Sequence, residues 1–229
     1  NDKKSFESPL VLAIDSSGNL ESRNGASPPA WLGETEPDPA DREIRDQFLR
    51  CFHPGRPVLA EIVTATEDTR DPIRRLAISA LTTLGDLSYV MPLLDRMDAP
   101  AIRRDTIAAL REYMAIGPDA ARQLREQIVE EFGETTGPIV EKLLIGYTPE
   151  EAAQPGTLQR LVGYLEPDTP SVGVRELSLD NLMKLTGRDR LGYDPDKPEE
   201  GLENWKKLVS EGKLIPNPKP PIEKESDRP

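Results

Sequence analysis

The sequence predicts an all-α solenoid, a stack of helix pairs in which each pair covers the apolar face of the next. Three observations predict it. Ile73, Leu76, Ala77, Ala80, Leu81 and Leu84 recur at the spacing that puts all six on one stripe of an α-helix. The pattern then returns in register: Arg-Arg-Leu-Ala-Ile-Ser-Ala-Leu from Arg74, Arg-Arg-Asp-Thr-Ile-Ala-Ala-Leu from Arg103 and Arg-Glu-Leu-Ser-Leu-Asp-Asn-Leu from Arg175. Each copy follows an Asp and a Pro, namely Asp71/Pro72, Asp98/Pro100 and Asp168/Pro170. Units of this length cannot bury their own apolar face and must stack.

Composition sets limits on function. Across 229 residues, 36% are apolar and only 5% aromatic, which suits a long thin core. The net charge of −12 works against a phosphate backbone, so nucleic acid is not expected as a partner. A single Cys51 and a single His53 supply neither a disulfide nor a His/Cys zinc site, and no metal or cofactor is expected. No apolar run reaches the ~20 residues of a membrane span. The chain begins at Asn1 without Met, which we read as a piece of a longer protein whose address lies elsewhere.

Residues 1–40 form an extended or hairpin segment followed by a linker. Pro9 to Ile14 reads as a strand, Asp15 to Asn19 as a turn and Leu20 to Arg23 as a return strand. Pro28, Pro29, Pro37 and Pro39 mark the linker, with Trp31 and Leu32 as its anchors. The helical repeat domain covers 41–211. A first cap helix spans 41–53, with Asp41 as its N-cap and Ile44, Gln47, Phe48 and Cys51 at helical spacing. Repeats fill 57–186 as four pairs: Pro57–Thr66 with Asp71–Leu84, Ser88–Met97 with Pro100–Ile116, Pro118–Phe132 with Pro138–Gly146, and Thr157–Leu165 with Pro170–Thr186. In the first pair Asp71 is the expected cap of the second helix and Gly85 its left-handed stop. Tyr147 to Gly156 is an insertion, a loop or a short extra helix. A second cap, 199–211, carries Leu202, Trp205, Leu208 and Val209 on one face, and 212–229 is a polar, Pro-rich tail expected to be disordered.

With Asp68, Asp71-Pro72, Arg74-Arg75 and Leu84-Gly85-Asp86 in place, the chain from about Arg56 to Arg188 resembles the bacterial HEAT-like repeats, the PBS-lyase/armadillo type. Val90 to Met97 is similar to that family's first helix, whereas Gly137-Pro-Ile-Val140 replaces Asp-Pro-Ile-Arg in the third pair. The resemblance implies a right-handed superhelix and a protein-binding scaffold; a minority of such proteins handle DNA or act on bilin chromophores. Leu-Thr-Gly187, Gly-Tyr-Asp-Pro195 and the downstream Trp205 also resemble elements of bacterial envelope-associated HEAT-like proteins.

Candidate chemistry is sparse. The register arginines are read as a structural ladder in which Asp68, Asp98 and Asp168 pair with Arg74, Arg103 and Arg175, while Arg75, Arg104 and Tyr147 are candidates for binding a partner. Asp189, Asp194, Asp196, Glu199 and Glu200 lack the calcium-loop progression and read as a solvated loop whose acids cap the final helix. Cys51 and His53 lie two apart, on different helix faces, so they make no nucleophile and base; His53 is placed at the helix end to help its dipole. No phosphate loop or Gly-x-Ser-x-Gly occurs. We therefore expect a noncatalytic protein-interaction scaffold with a contiguous concave surface free of buried acid pairs; a pocket of convergent ionisable groups there would count against it. The alternatives are a HEAT-like enzyme acting on nucleic acid or a chromophore, which needs a basic face centred on an aromatic and a carboxylate, and a structural spacer in an envelope or signalling protein. The sequence alone leaves partner, compartment and oligomeric state open.

Overall fold

The computed structural model describes the backbone of residues 10–14 and 20–24 and the whole of residues 38–216. Two compact units divide the chain, 1–43 and 44–229. In the first, β1 (Leu10–Ile14) runs antiparallel to β2 (Leu20–Asn24), with Leu10 opposite Asn24 and Ile14 opposite Leu20. The expected anchors Trp31 and Leu32 lie outside the described residues, as does the tail from residue 217.

Everything from residue 39 to residue 210 that is regular is helical. The helix α1 (Pro39–Leu49) starts two residues earlier than expected because Asp38, not Asp41, accepts the backbone N–H of Ala40 at 2.8 Å. It also ends earlier, leaving Cys51 and Phe52 in a turn where the Phe52 ring meets Phe48 edge to face at 5.3 Å. After α2 (Val58–Ala65) comes α3 (Asp71–Leu84), whose Gly85 takes the left-handed conformation, φ 77°, that lets the chain leave the helix. Asp71 does not cap α3. Arg70 holds the N-cap position and Asp71 is the first helical residue, accepting from Arg74 at 2.7 Å.

The apolar stripe of α3 is rotated from its sequence reading. Ile73, Ala77 and Leu81 are fully buried, but Arg74, Ile78 and Thr82 complete the buried face, while Leu76 and Leu84 are 38% and 64% exposed. The reason is packing on two sides: α3 lies against α2 and also against α5 (Pro100–Ala115), and the second contact draws in the side that carries Arg74.

The helix expected over Ser88–Met97 is one α-helical turn, α4 (Leu87–Val90), continued as a 3-10 turn over Met91–Asp95. Pro92 lacks the N–H that an α-helix needs there. The third pair forms α6 (Pro118–Ile145), with Gly133 at φ 74° breaking it into two halves, so its second half begins ahead of Pro138. The insertion holds α7 (Pro149–Ala152), closed by a capping box in which Thr148 Oγ1 accepts from the Glu151 N–H and the Glu151 carboxylate accepts from the Thr148 N–H. Then follow α8 (Thr157–Gly163), α9 (Val172–Thr186) and α10 (Leu202–Ser210). Residues 212–214 are ordered, contrary to expectation: Gly212 at φ 62° turns the chain so that the Lys213 and Leu214 N–H groups donate to the Leu208 carbonyl.

Neighbours in space differ from neighbours in sequence. α5 packs on α3 and α6, but it also touches α9 directly, and α9 touches the 3-10 turn as well as α6 and α8. The start of α9 abuts that turn closely. Ser171 donates to Asp95 Oδ1 at 2.6 Å, the Gly173 N–H donates to the same oxygen at 2.8 Å, and a Cβ on Gly173 would stand 2.7 Å from the Leu94 carbonyl oxygen. One continuous apolar core runs from Ile62 to Trp205, with Leu177, Leu179 and Leu182 of α9 fully buried.

Candidate functional site

The register arginines repeat one geometry. Arg74 Nη1 donates to the Asp68 carbonyl at 3.4 Å, Arg103 Nη1 to the Arg96 carbonyl at 2.6 Å, and Arg175 Nη1 to the Thr169 carbonyl. Each guanidinium therefore fastens the loop that leads into its own helix, six or seven residues upstream. The contact is to backbone, which corrects the expected ladder. The Asp68 carboxylate pairs with Arg70, Asp98 gives only its backbone N–H to Asp196, and Asp168 is exposed.

Besides Asp71 for Arg74, the carboxylates come from another helix packed alongside. Arg74 Nε donates to Asp105 Oδ2 of α5 at 2.8 Å; Arg103 Nε and Nη2 donate to Glu176 Oε2 of α9 at 3.2 and 3.1 Å. Arg175, in the last of the three copies, donates from Nε to the Pro195 carbonyl in the loop before α10 at 2.8 Å. These acids left a sequence signal that the pattern hid: Asp105 stands where the other two copies have Leu, and Glu176 where they have Arg.

The loop before α10 completes this network. Asp196 accepts from Arg103 at 2.9 and 2.8 Å and from the Asp98 N–H at 2.9 Å. Its carboxyl is buried, which alone would raise its pKa; the Arg103 hydrogen bonds, the Asp98 N–H and the charge of Arg103 outweigh this and hold it below the ordinary value. The expected solvated loop is thus anchored in the interior, and Gly201, not an acid, occupies the N-cap position of α10. Trp205 is fully buried and donates from Nε1 to the Arg190 carbonyl at 3.1 Å; the buried Tyr193 hydroxyl donates to the Leu165 carbonyl at 2.7 Å, and burial raises its pKa.

Between α5 and α9 lies a groove of about 390 Å³. Ile107 and Leu179 form its floor, with Met183 beside them. Four cations surround it: Arg104, Arg111, Lys184 and Arg190, against two carboxylates, Glu176 and Asp180. Asp180 Oδ2 is 2.7 Å from Arg111 and 3.0 Å from Lys184, close as ion pairs though out of hydrogen-bond alignment. Arg111 is further held by the Leu144 carbonyl at 3.0 Å, and Arg190 donates to Glu176 Oε1 at 2.5 Å. Arg104 is exposed and has no hydrogen bond or ion pair among the described residues.

Two expectations fail here. Glu176 and Asp196 are a buried acid pair, sharing Arg103, and the groove does gather ionisable groups. The physical reason is that every carboxylate in it is matched by a cation from the facing helix or the C-terminal loop. Of the three binding candidates, only Arg104 lines the groove. Arg75, 66% exposed, gives its Nε to Asp105 Oδ1 at 3.0 Å. Tyr147 is half-buried beneath Lys142, whose Nζ is 4.6 Å from the ring centre, and burial raises its pKa. His53 meets Glu61 at 3.2 Å through Nδ1 instead of serving the end of α1. Among the described residues, no three His, Cys, Asp or Glu side chains group as a metal site, and no helix is long and apolar enough to cross a membrane.

No protein-family model, no curated protein and no solved structure matches the chain.

Proposed function

We propose that the chain is a noncatalytic protein-interaction scaffold built on HEAT-like repeats in a right-handed superhelix, with the groove between α5 and α9 as its docking surface. The observation that carries the reading is Arg104: an exposed guanidinium at the edge of an apolar floor, with no hydrogen bond or ion pair among the described residues and only a through-space effect on Asp71. A guanidinium whose hydrogen-bond donors are not taken up within the described fold is available to a ligand. The repeat reading is supported by the three arginines that each fasten their own preceding loop. The test is a pull-down from lysate and envelope fractions of the source cell with the wild-type chain and an Arg75→Glu/Arg104→Glu variant. A protein retained by the wild type and lost from the variant is expected. If nothing is retained, the scaffold reading fails and a structural spacer replaces it.

One observation favours a second reading, an enzyme acting on nucleic acid or a chromophore: ionisable groups do converge in the groove. General acid–base work asks for a carboxyl within reach of the substrate's proton, whereas Glu176 and Asp180 each sit against two cations of the fold. The groove lining also has no aromatic residue. Cleavage of DNA or a bond change in a bilin, lost in Asp180→Asn, would move the assignment to this class.

A further inference from the structure

We propose that the groove between α5 and α9 takes an acidic, extended peptide segment of a partner protein, in which carboxylates lie three residues apart and an aliphatic side chain follows. The inference rests on the scaffold reading and gives it a partner chemistry. Four cations against two carboxylates leave an excess of two positive charges in one groove of a chain whose net charge is −12. That local reversal of sign attracts an acidic ligand and steers its approach.

The floor narrows the class further. Ala108 and Met183, above the buried Ile107 and Leu179, offer apolar surface that a phosphate group cannot use. Glu176 and Asp180 would also repel a polyphosphate backbone, while a single carboxylate can meet Arg104 without facing them. A volume of about 390 Å³ suits one or two side chains.

Length comes from the repeat. Arg75 of α3 and Arg104 of α5 hold the same register position on helices that pack side by side, and both are exposed. Arg75 uses only Nε within the fold, leaving Nη1 and Nη2 without a partner among the described residues. Packed helices lie about 8–10 Å apart, and a chain in the extended polyproline II conformation advances about 3.1 Å per residue and returns to the same face every third residue. One step from Arg75 to Arg104 therefore spans about three residues. A peptide crossing the helices would place one carboxylate on each guanidinium and its next aliphatic side chain in the groove beyond Arg104.

The experiment is selection of a random twelve-residue peptide-display library on the whole chain, followed by fluorescence anisotropy with an enriched peptide. Enriched sequences are expected to carry Asp or Glu at i and i+3 with Leu, Ile, Val or Met soon after. Arg104→Glu should weaken binding about tenfold or more, Arg75→Glu should weaken it less, and Leu84→Ser, at a remote exposed site, should leave it unchanged. Both arginines are exposed, and a thermal melt of each variant verifies that the fold persists.

Enriched peptides without acids, or binding indifferent to Arg104→Glu, overturn the assignment while leaving the scaffold reading to its own pull-down. Displacement by inorganic phosphate or a single-stranded oligonucleotide at the peptide's own concentration would instead make the groove a general anion site and also overturn it. If no peptide is enriched the assignment falls, and if the pull-down is empty as well, both readings fall together.

Discussion

Arg103 shows how much a single residue can hold. Its side chain is fully buried, and its three nitrogens meet Glu176, Asp196 and the Arg96 carbonyl, so helix α5, helix α9 and two loops converge on one guanidinium. Replacing it with Met leaves Asp196 buried without a cation and Glu176 with Arg190 alone, which costs about 3–5 kcal/mol. Urea denaturation should show that loss, and Arg103→Lys should recover little, since an ammonium cannot reproduce the planar fork. Acid provides a second readout. The folded pKa of Asp196 lies below its ordinary 3.8, so its stabilising contribution is complete above that value and is lost as the pH falls through the folded one. In Arg103→Met the same carboxyl is buried without the guanidinium, and protonation relieves it. The gap in urea midpoint between wild type and Arg103→Met should therefore narrow between about pH 5 and pH 2; a constant gap would show that the pair is not coupled. The repeat pattern made Arg103 visible, but not its partners, because Glu176 and Asp196 lie 73 and 93 residues away and short-range spacing carries no information about them.

Helix identity was legible where the local signals agreed. The Asp-Pro start, the apolar period and the Gly85 stop of α3 all point to the helix that forms. The face it buries was less legible, since a period locates a stripe but not the second neighbour that brings Arg74 into the interior. Pro92 should have warned against a single helix over Ser88–Met97, and Gly133 marked the break in α6 better than Pro138 did. The contact between α9 and the 3-10 turn gives an element-scale test. In Gly173→Ala the new Cβ would meet Leu94 backbone at 2.7 and 3.1 Å, which forces the two elements apart and costs about 1–3 kcal/mol. In Gly163→Ala, near the end of α8, nothing lies within 4 Å of the added Cβ, so thermal unfolding should be unchanged or slightly later. Equal melting temperatures for the two variants would mean that α9 does not press on Leu94 as described.

At the scale of the molecule, the arginine network runs from α3 to α5 to α9 and passes over α6. This accounts for the missing register Arg in the third pair: Gly137-Pro-Ile-Val140 belongs to a helix half that packs beside the network without carrying it. The sequence showed the gap in the pattern, but counting pairs in order hid its meaning. The groove between α5 and α9 was illegible for the same reason, since it exists only because helices far apart in sequence touch. The helix α10 packs on α8, and Trp205→Ala should cost about 3–5 kcal/mol by emptying a fully buried site. A chemical denaturation midpoint unchanged by that substitution would show that α10 is dispensable to the helical unit.

The passage of the network over α6 also has a consequence in time. A regular repeat array can complete each unit as the next one emerges, but Asp196 follows Arg103 by 93 residues. At about 5–20 residues per second of synthesis, Arg103 waits about 5–20 s for its last carboxylate. During that interval Arg103 stands without Asp196, and without Glu176 until α9 has been made, so the second helix pair is expected to be more open to proteases until the loop before α10 has been translated.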